Sequence, residues 1–153
     1  MKLRVRAATS EDHAFLRELN RQAYEDIVTR QFGAWDESAQ RGRFEAKLQQ
    51  AAFRIVQLAG QPVAAVWSSE HDDHIALHEL LVLSGFQNRG IGSQVLGWEL
   101  ARAGTAKKPV RLHTLVLNRA QEFCKRRGFV ETGRSDAYVE MGVICEENTC
   151  RRS

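Results

Sequence analysis

Eight residues, Gly85-Phe86-Gln87-Asn88-Arg89-Gly90-Ile91-Gly92, constrain the fold more than any other stretch of this 153-residue chain. An apolar run, Leu80-Leu81-Val82-Leu83, precedes them, and apolar positions Ile91, Val95, Leu96, Trp98 and Leu100 recur behind them at helical spacing. The stretch therefore reads as strand, glycine-bearing turn, helix. A helix start leaves its first four N–H groups without intrahelical partners and carries about half a positive charge. Such a turn accepts a phosphate, and glycine lets the ligand approach the backbone. A nucleotide-triphosphate loop needs Gly-Lys-Ser/Thr, but Gly90 is followed by Ile91 and Gly92. A dinucleotide fingerprint needs a third glycine where Val95 stands. A plain helix start with two tolerated glycines stays open on these residues alone.

The length suits one domain with one core, expected over residues 1–145, followed by a polar tail at 146–153. No apolar run approaches the roughly 20 residues that cross a bilayer. The segment after Met1-Lys2-Leu3-Arg4 lacks the apolar stretch of a secretory signal. Three cysteines, Cys124, Cys145 and Cys150, show no metal-type spacing and fit a reducing cytoplasm. No metal is expected. A net charge of +3, scattered along the chain, argues against nucleic acid as a partner. The basic cluster Lys125-Arg126-Arg127 reads as a solvated helix face or as a contact to an anionic cofactor.

Leu3, Val5 and Ala7 alternate with basic residues, as in a half-buried strand. Thr9 with Asp12 forms a capping-box pattern ahead of a helix predicted over about 10–28. Gly33 breaks the chain, and Trp35-Asp36-Glu37 opens a second helix weakened by Gly42. Residues 53–58 and 63–68 form a hairpin around Ala59-Gly60-Gln61-Pro62. Residues 74–83 form a long, mostly apolar strand. The third helix is predicted over 90–103, with Gly104 as its C-terminal cap. A strand over 110–117 leads to Asn118 as N-cap, with Gln121 at the capping-box position of a fourth helix. Gly128-Phe129 ends that helix, and two strands close the chain. The order β-α-α-β-β-β-α-β-α-β-β predicts an α/β (α+β) fold with a mixed sheet covered by helices.

The hexapeptide Gln87-Asn88-Arg89-Gly90-Ile91-Gly92 resembles the acetyl-CoA pyrophosphate loop of the GCN5-related N-acetyltransferases (GNAT family), Gln/Arg-x-x-Gly-x-Gly/Ala. Leu80 to Ser93 matches the family's strand, loop and helix. The run from Asn118 to Phe129 is similar to its Asn-x-Ala-x-x-x-Tyr-x-x-x-Gly-Phe signature, and Phe32-Gly33-Ala34-Trp35-Asp36 looks like its segment between the first two helices. The element order resembles the whole GNAT fold. The resemblance implies acetyl transfer from acetyl-CoA to a small-molecule or peptide amine, with a possible homodimer; charge and the lack of a long apolar run leave neither nucleic acid nor membrane as an expected partner. The resemblance places the pyrophosphate on Gln87, Asn88, Arg89, Gly90, Ile91, Gly92 and Ser93, and the pantetheine arm along the backbone of Leu81, Val82 and Leu83. Asn118, also readable as a plain N-cap, would hydrogen-bond the pantetheine. Ser84-Gly85 stands where many members have proline.

Amide formation needs a deprotonated amine and a donor to the thioester oxygen. The backbone N–H of Val82 is the candidate donor. Glu79 is the candidate base: alternation sets it on one face with Leu77, Leu81 and Leu83, where apolar neighbours would raise its pKa. A structural salt bridge is the alternative for Glu79, and His78 is the second candidate base. Cys124 replaces the family's tyrosine, the acid for the leaving thiolate. A thiol can fill that role, or Cys124 is a small apolar filler. Tyr24, Phe32, Trp35, Asp36 and Tyr138 are candidates for the acceptor pocket, although Trp35 also reads as core and Asp36 as a helix N-terminus. The competing function is a non-catalytic CoA-binding sensor or interaction domain.

Overall fold

The structure, a computed structural model, describes residues 1–146 and 149–152, with residues from 145 onward described by backbone alone. Strands are β1 (Leu3–Ala7), β2 (Arg54–Leu58), β3 (Gln61–Glu70), β4 (Ile75–Val82), β5 (Val110–Leu115), β6 (Val130–Arg134), β7 (Tyr138–Glu146) and β8 (Thr149–Arg152). Helices are α1 (His13–Phe32), α2 (Glu37–Gln50), α3 (Ile91–Ala106) and α4 (Ala120–Arg126). Hydrogen-bonded neighbours run β1-β2-β3-β4-β5-β7-β6, with β8 added to β7. The β4–β5 ladder is parallel, and the β1–β2, β2–β3, β5–β7, β6–β7 and β7–β8 ladders are antiparallel. This is the expected mixed α/β fold and element order, with β8 as an addition. The tail read as a polar end pairs Thr149–Arg152 with β7, while residues 147, 148 and 153 and the side chains of Cys145 and Cys150 lie outside the described residues.

The chain forms two compact units. One comprises residues 1–67 and 79–93, the other residues 68–78 and 94–153. In the first, Leu16 and Leu19 of α1 pack with Phe44 of α2 and with Phe53, Ile55, Ala65 and Leu81 beneath them. The helical stripe on α1 and the period-2 stripe on the strands supply these apolar faces. Ala59 and Gly60 both have positive φ, 53° and 79°, which gives the β2–β3 hairpin the mirror-image turn its twist requires. At the N-terminus, the Thr9 N–H donates to Asp12 Oδ2 at 2.8 Å, as the capping pattern predicts. Arg6 adds two bonds to Asp12, at 2.7 and 2.8 Å. A single 3-10 turn, Ser10–Asp12, precedes α1, which runs past the expected end to Phe32 and stops at Gly33 with φ 90°.

In the second unit, β7 is paired on both sides, with Leu112 opposite Met141 in the β5 ladder and Arg134 opposite Val139 in the β6 ladder. Val110, Phe129, Val139, Met141 and Val143 are fully enclosed. Two helix expectations change here. α3 continues through Gly104 to Ala106, and Lys107 takes the left-handed conformation (φ 57°) in place of the expected glycine cap. Along α3 the buried stripe is Ile91, Val95, Leu96, Glu99 and Ala103, and Trp98 is exposed. Glu99 follows Val95 by one turn and so shares its face. Its charge is met by the Ser68 hydroxyl, 2.9 Å away.

Candidate active site

β4 alternates strictly between enclosed and half-enclosed residues, and Ile75, Leu77, Glu79 and Leu81 occupy the enclosed face. Glu79 retains 8% of its surface. An isolated carboxylate costs several kcal/mol to bury, so it requires partners. Two come from elements far away in sequence. Lys47 Nζ of α2 donates to Glu79 Oε1 at 2.7 Å, and Tyr24 Oη of α1 donates to Oε2 at 2.5 Å. Lys47 Nζ also lies 5.9 Å from the Tyr24 ring centre and 6.0 Å from that of Phe44. The apolar surroundings expected for Glu79 are thus replaced by an ammonium and a phenol, the salt-bridged alternative. Each carboxylate oxygen has two acceptor directions, and one donor per oxygen among the described residues leaves both with capacity for a further N–H or a water. His78 alternates away from Glu79, and its Nε2 lies 2.7 Å from Ser69 Oγ.

The end of β4 has a defined polarity. The Leu83 N–H donates to the Val63 carbonyl on β3 at 2.9 Å. Backbone groups of successive strand residues point to opposite edges. The N–H and C=O of Val82 therefore point away from β3, whereas the Leu83 N–H points toward it and the Leu83 carbonyl turns to accept the Phe86 N–H at 2.8 Å. Of the three residues expected along a pantetheine arm, Val82 is the one turned outward; the Leu83 amide is already committed. The Gln87 side chain donates to the Val82 carbonyl at 3.1 Å on that outward edge.

The turn from β4 to α3 begins with a 3-10 turn at Ser84–Phe86, whose start is held by the Ser84 N–H donating to Gln22 Oε1 at 2.9 Å. Asn88 and Gly90 both take left-handed conformations, φ 62° and 82°. Backbone N–H groups in alternating hands of this kind form anion-binding concavities. A side-chain carbon built on Gly90 or Gly85 meets nothing within 4 Å, so the backbone there borders open space. The Arg89 guanidinium lies 5.0 Å from the Phe86 ring centre. Open backbone, left-handed residues and a helix start together fit a pyrophosphate bound by N–H groups. Gln87, Asn88, Arg89, Gly90, Ile91, Gly92 and Ser93 all belong to this segment of the first unit.

Among the acceptor candidates, Tyr24 is engaged with Glu79. Phe32 ends α1 and is 58% exposed. Trp35 is half-buried rather than core, with Nε1 donating to Glu37 Oε2 at 2.7 Å. Asp36 caps α2, accepting the Ala39 N–H at 3.0 Å.

In the second unit, Asn118 Oδ1 accepts the Ala120 N–H at 2.9 Å, an Asx turn one residue ahead of the observed N-cap, Arg119, so Asn118 is not the N-cap the sequence suggests. Gln121 leaves the expected capping-box role and donates instead to the Val116 carbonyl at 2.8 Å. Cys124 is enclosed on α4, and burial pushes its thiol up to about 11. A free tyrosine sits near ~10, so the thiol is the slightly weaker acid and stays protonated at neutral pH. Tyr138 opens β7, is 44% exposed and meets His113 edge-on at 5.4 Å.

Lys47 and Gln22 are the polar residues of this site that motif reading passes over. Lys47 follows Phe44 by three residues and precedes Leu48, so a polar residue within an apolar helical stripe marks it, whereas Gln22 is exposed beside the α1 stripe and carries no such signal. Among the described residues no cluster of ligating side chains can hold a metal, and no helix is long and apolar enough to cross a membrane.

The GNAT acetyltransferase domain model matches residues 49–131, more than half of the chain. No curated protein matches in sequence. Solved structures match in fold. The PaiA N-acetyltransferase of Thermoplasma acidophilum, solved in complex with coenzyme A, is similar at 15% identity and TM-score 0.73, covering 93% of this chain and 98% of that one. Ard1 of Thermoplasma volcanium is similar at 18% identity and TM-score 0.68, covering 95% and 99%. The ribosomal-protein-S18-alanine N-acetyltransferase of Escherichia coli is similar at 14% identity and TM-score 0.68, covering 97% and 99%. With the family model spanning β4, its turn and α3, the chain belongs to the GNAT acetyltransferase family.

Proposed function

We propose that the protein transfers an acetyl group from acetyl-CoA to a primary amine by direct attack. The observation that carries this reading is the end of β4. An enclosed carboxylate at Glu79 is followed three residues later by the outward-facing backbone of Val82, and the chain then enters an open loop with two left-handed residues.

In this reading, backbone N–H groups from Gln87 to Ser93 hold the pyrophosphate, helped by the positive end of α3. The Val82 N–H donates to the thioester oxygen as charge builds there, a contribution that grows in a water-poor site. Binding displaces the Gln87 side chain from the Val82 carbonyl, which then receives the pantetheine amide. Glu79 takes a proton from the substrate ammonium, directly or through a water bound at its remaining acceptor positions. The amine nitrogen forms the new C–N bond as the C–S bond breaks, and CoA leaves as a thiol. The ammonium loses two protons overall: one reaches the thiolate, the other passes through Glu79 to solvent. Cys124 is the proposed relay for the proton that reaches the thiolate, giving up its own and taking up the amine's in turn, and Asn118 is a proposed pantetheine contact. Tyr24, Phe32, Trp35, Asp36 and Tyr138 remain proposed acceptor contacts.

Thermal unfolding with acetyl-CoA, CoA, ATP and NAD tests the loop. Ligand at a hundred times its dissociation constant adds about 2.7 kcal/mol. At about 2–4 °C per kcal/mol, acetyl-CoA and CoA raise the midpoint by several degrees while ATP and NAD do not. A midpoint unmoved by saturating acetyl-CoA overturns the reading. Amine-dependent thiol release in wild type against Glu79→Gln then tests the base, and an unchanged rate across neutral pH removes Glu79 from that role.

A further inference from the structure

Resting on the acetyl-transfer reading above, we propose that the acceptor is a zwitterionic amine, an α-amino acid or a close analogue carrying a carboxylate beside its ammonium. Glu79 and Lys47 would receive its two charges.

The site presents both signs within one contact. The Glu79 carboxylate is enclosed, and the Lys47 ammonium that meets it at 2.7 Å keeps 30% of its side-chain surface. Of the two partners, Lys47 is the more exposed. An ammonium has three N–H donors, and one of them serves Glu79. Each Glu79 oxygen likewise has a second acceptor direction beside the one used by Lys47 or Tyr24.

The charge pattern sorts amines. A simple cationic amine entering this site places its ammonium beside that of Lys47, with one carboxylate shared between them. A diamine or polyamine adds further positive charge to the same place. Like charges at such separation are strongly unfavourable where water is scarce. A zwitterion brings its own anion. Its ammonium approaches Glu79, its carboxylate approaches Lys47, and two ion pairs stand where one stood. The Tyr24 and Phe44 rings, each about 6 Å from Lys47 Nζ, wall the same place with apolar surface. Lys47 is held there because it occupies the buried stripe of α2 between Phe44 and Leu48.

The test is an acceptor comparison at fixed acetyl-CoA. The common L-amino acids are each assayed against their own α-carboxamides, with putrescine and spermidine as cationic acceptors. At least one amino acid should exceed its carboxamide and both polyamines tenfold or more in kcat/KM. Lys47→Met should collapse the acid-to-amide ratio toward one, Lys47→Arg should retain it, and Lys47→Glu should reverse it in favour of putrescine. Equal rates for acids and amides in wild type overturn the proposal, as does an unchanged ratio in Lys47→Met. A midpoint shift with acetyl-CoA but no acid preference refutes only the acceptor class. No shift with acetyl-CoA removes the acetyl-transfer reading, and the acceptor with it.

Discussion

The Tyr24 hydroxyl donates to Glu79 Oε2 at 2.5 Å across 55 residues of sequence, tying the first helix to the carboxylate of the central strand. Together with Lys47 it gives Glu79 one donor on each oxygen. This arrangement holds both carboxylate oxygens of Glu79 by hydrogen bonds from helices α1 and α2. It also makes the phenol part of the proposed catalytic geometry.

Tyr24→Phe should therefore destabilise the protein without disturbing its packing. Removing a hydrogen bond to a buried charged group costs about 1.5–3 kcal/mol. Urea unfolding should show this as a lower midpoint at unchanged slope. A loss below about 0.5 kcal/mol would mean that water replaces the phenol with little penalty.

Gly90→Ala should weaken acetyl-CoA binding through the backbone. Gly90 has φ 82°, and the space beside it is open. Alanine meets no clash there, but holding an L-residue in the left-handed region costs about 1–2 kcal/mol. The expected result is a smaller thermal shift with CoA and a modest fall in the stability of the free protein. Full retention of the shift would place the phosphate contacts elsewhere on the turn.

The N-terminal capping network should report as a pH dependence. Asp12 is held down to about 2, first by the Arg6 guanidinium and then by the Thr9 N–H, against its burial. In the unfolded chain an aspartate titrates near ~3.9. A depressed folded value contributes stability above the unfolded value and loses it as pH falls. The stability difference between wild type and Asp12→Asn should thus be constant above about pH 5 and shrink between about pH 4 and pH 2. A difference that persists unchanged at pH 2 would mean that the charge is not what the network uses.

Cys124 behaves in the opposite sense. Burial raises its thiol from 9.0 to about 11, so its share of stability is complete below about pH 9 and is lost as pH rises toward 11. In a Cys145→Ser/Cys150→Ser background, a disulfide probe such as Ellman's reagent should label the native protein very slowly at pH 8. It should label one thiol at once after urea unfolding. Fast native labelling would show that the thiol opens to solvent.

Much of this protein is legible along the chain because its signals are local. The two-residue alternation of β4 predicts that Glu79 faces inward. The helical stripe of α1 predicts Leu16 and Leu19 in the core, and Thr9 with Asp12 predicts the capped turn. The glycine-bearing turn predicts an open backbone at a helix start, and Asn88 and Gly90 adopt the left-handed conformations that open it. Each of these depends on neighbours within a few residues, where backbone geometry repeats with a period of 2 or 3.6.

Other features depend on which segments meet in space. Alternation turned Glu79 inward but did not say that Lys47, 32 residues earlier, would supply its counter-charge, or that Tyr24 would supply the second donor. Trp98 was expected among the apolar positions of α3, but the fold enclosed Glu99 and exposed the ring, because Glu99 shares the Val95 face and Ser68 is there to meet it. Gly104 looked like a helix end, yet α3 continued for two more residues and stopped at Lys107. The sequence by itself determined the faces, turns and caps, because these follow from covalent geometry and nearby hydrogen bonds. The tertiary structure decided the partners of each buried charge, because a charge removed from water is stabilised by whichever distant group the fold brings within hydrogen-bonding distance.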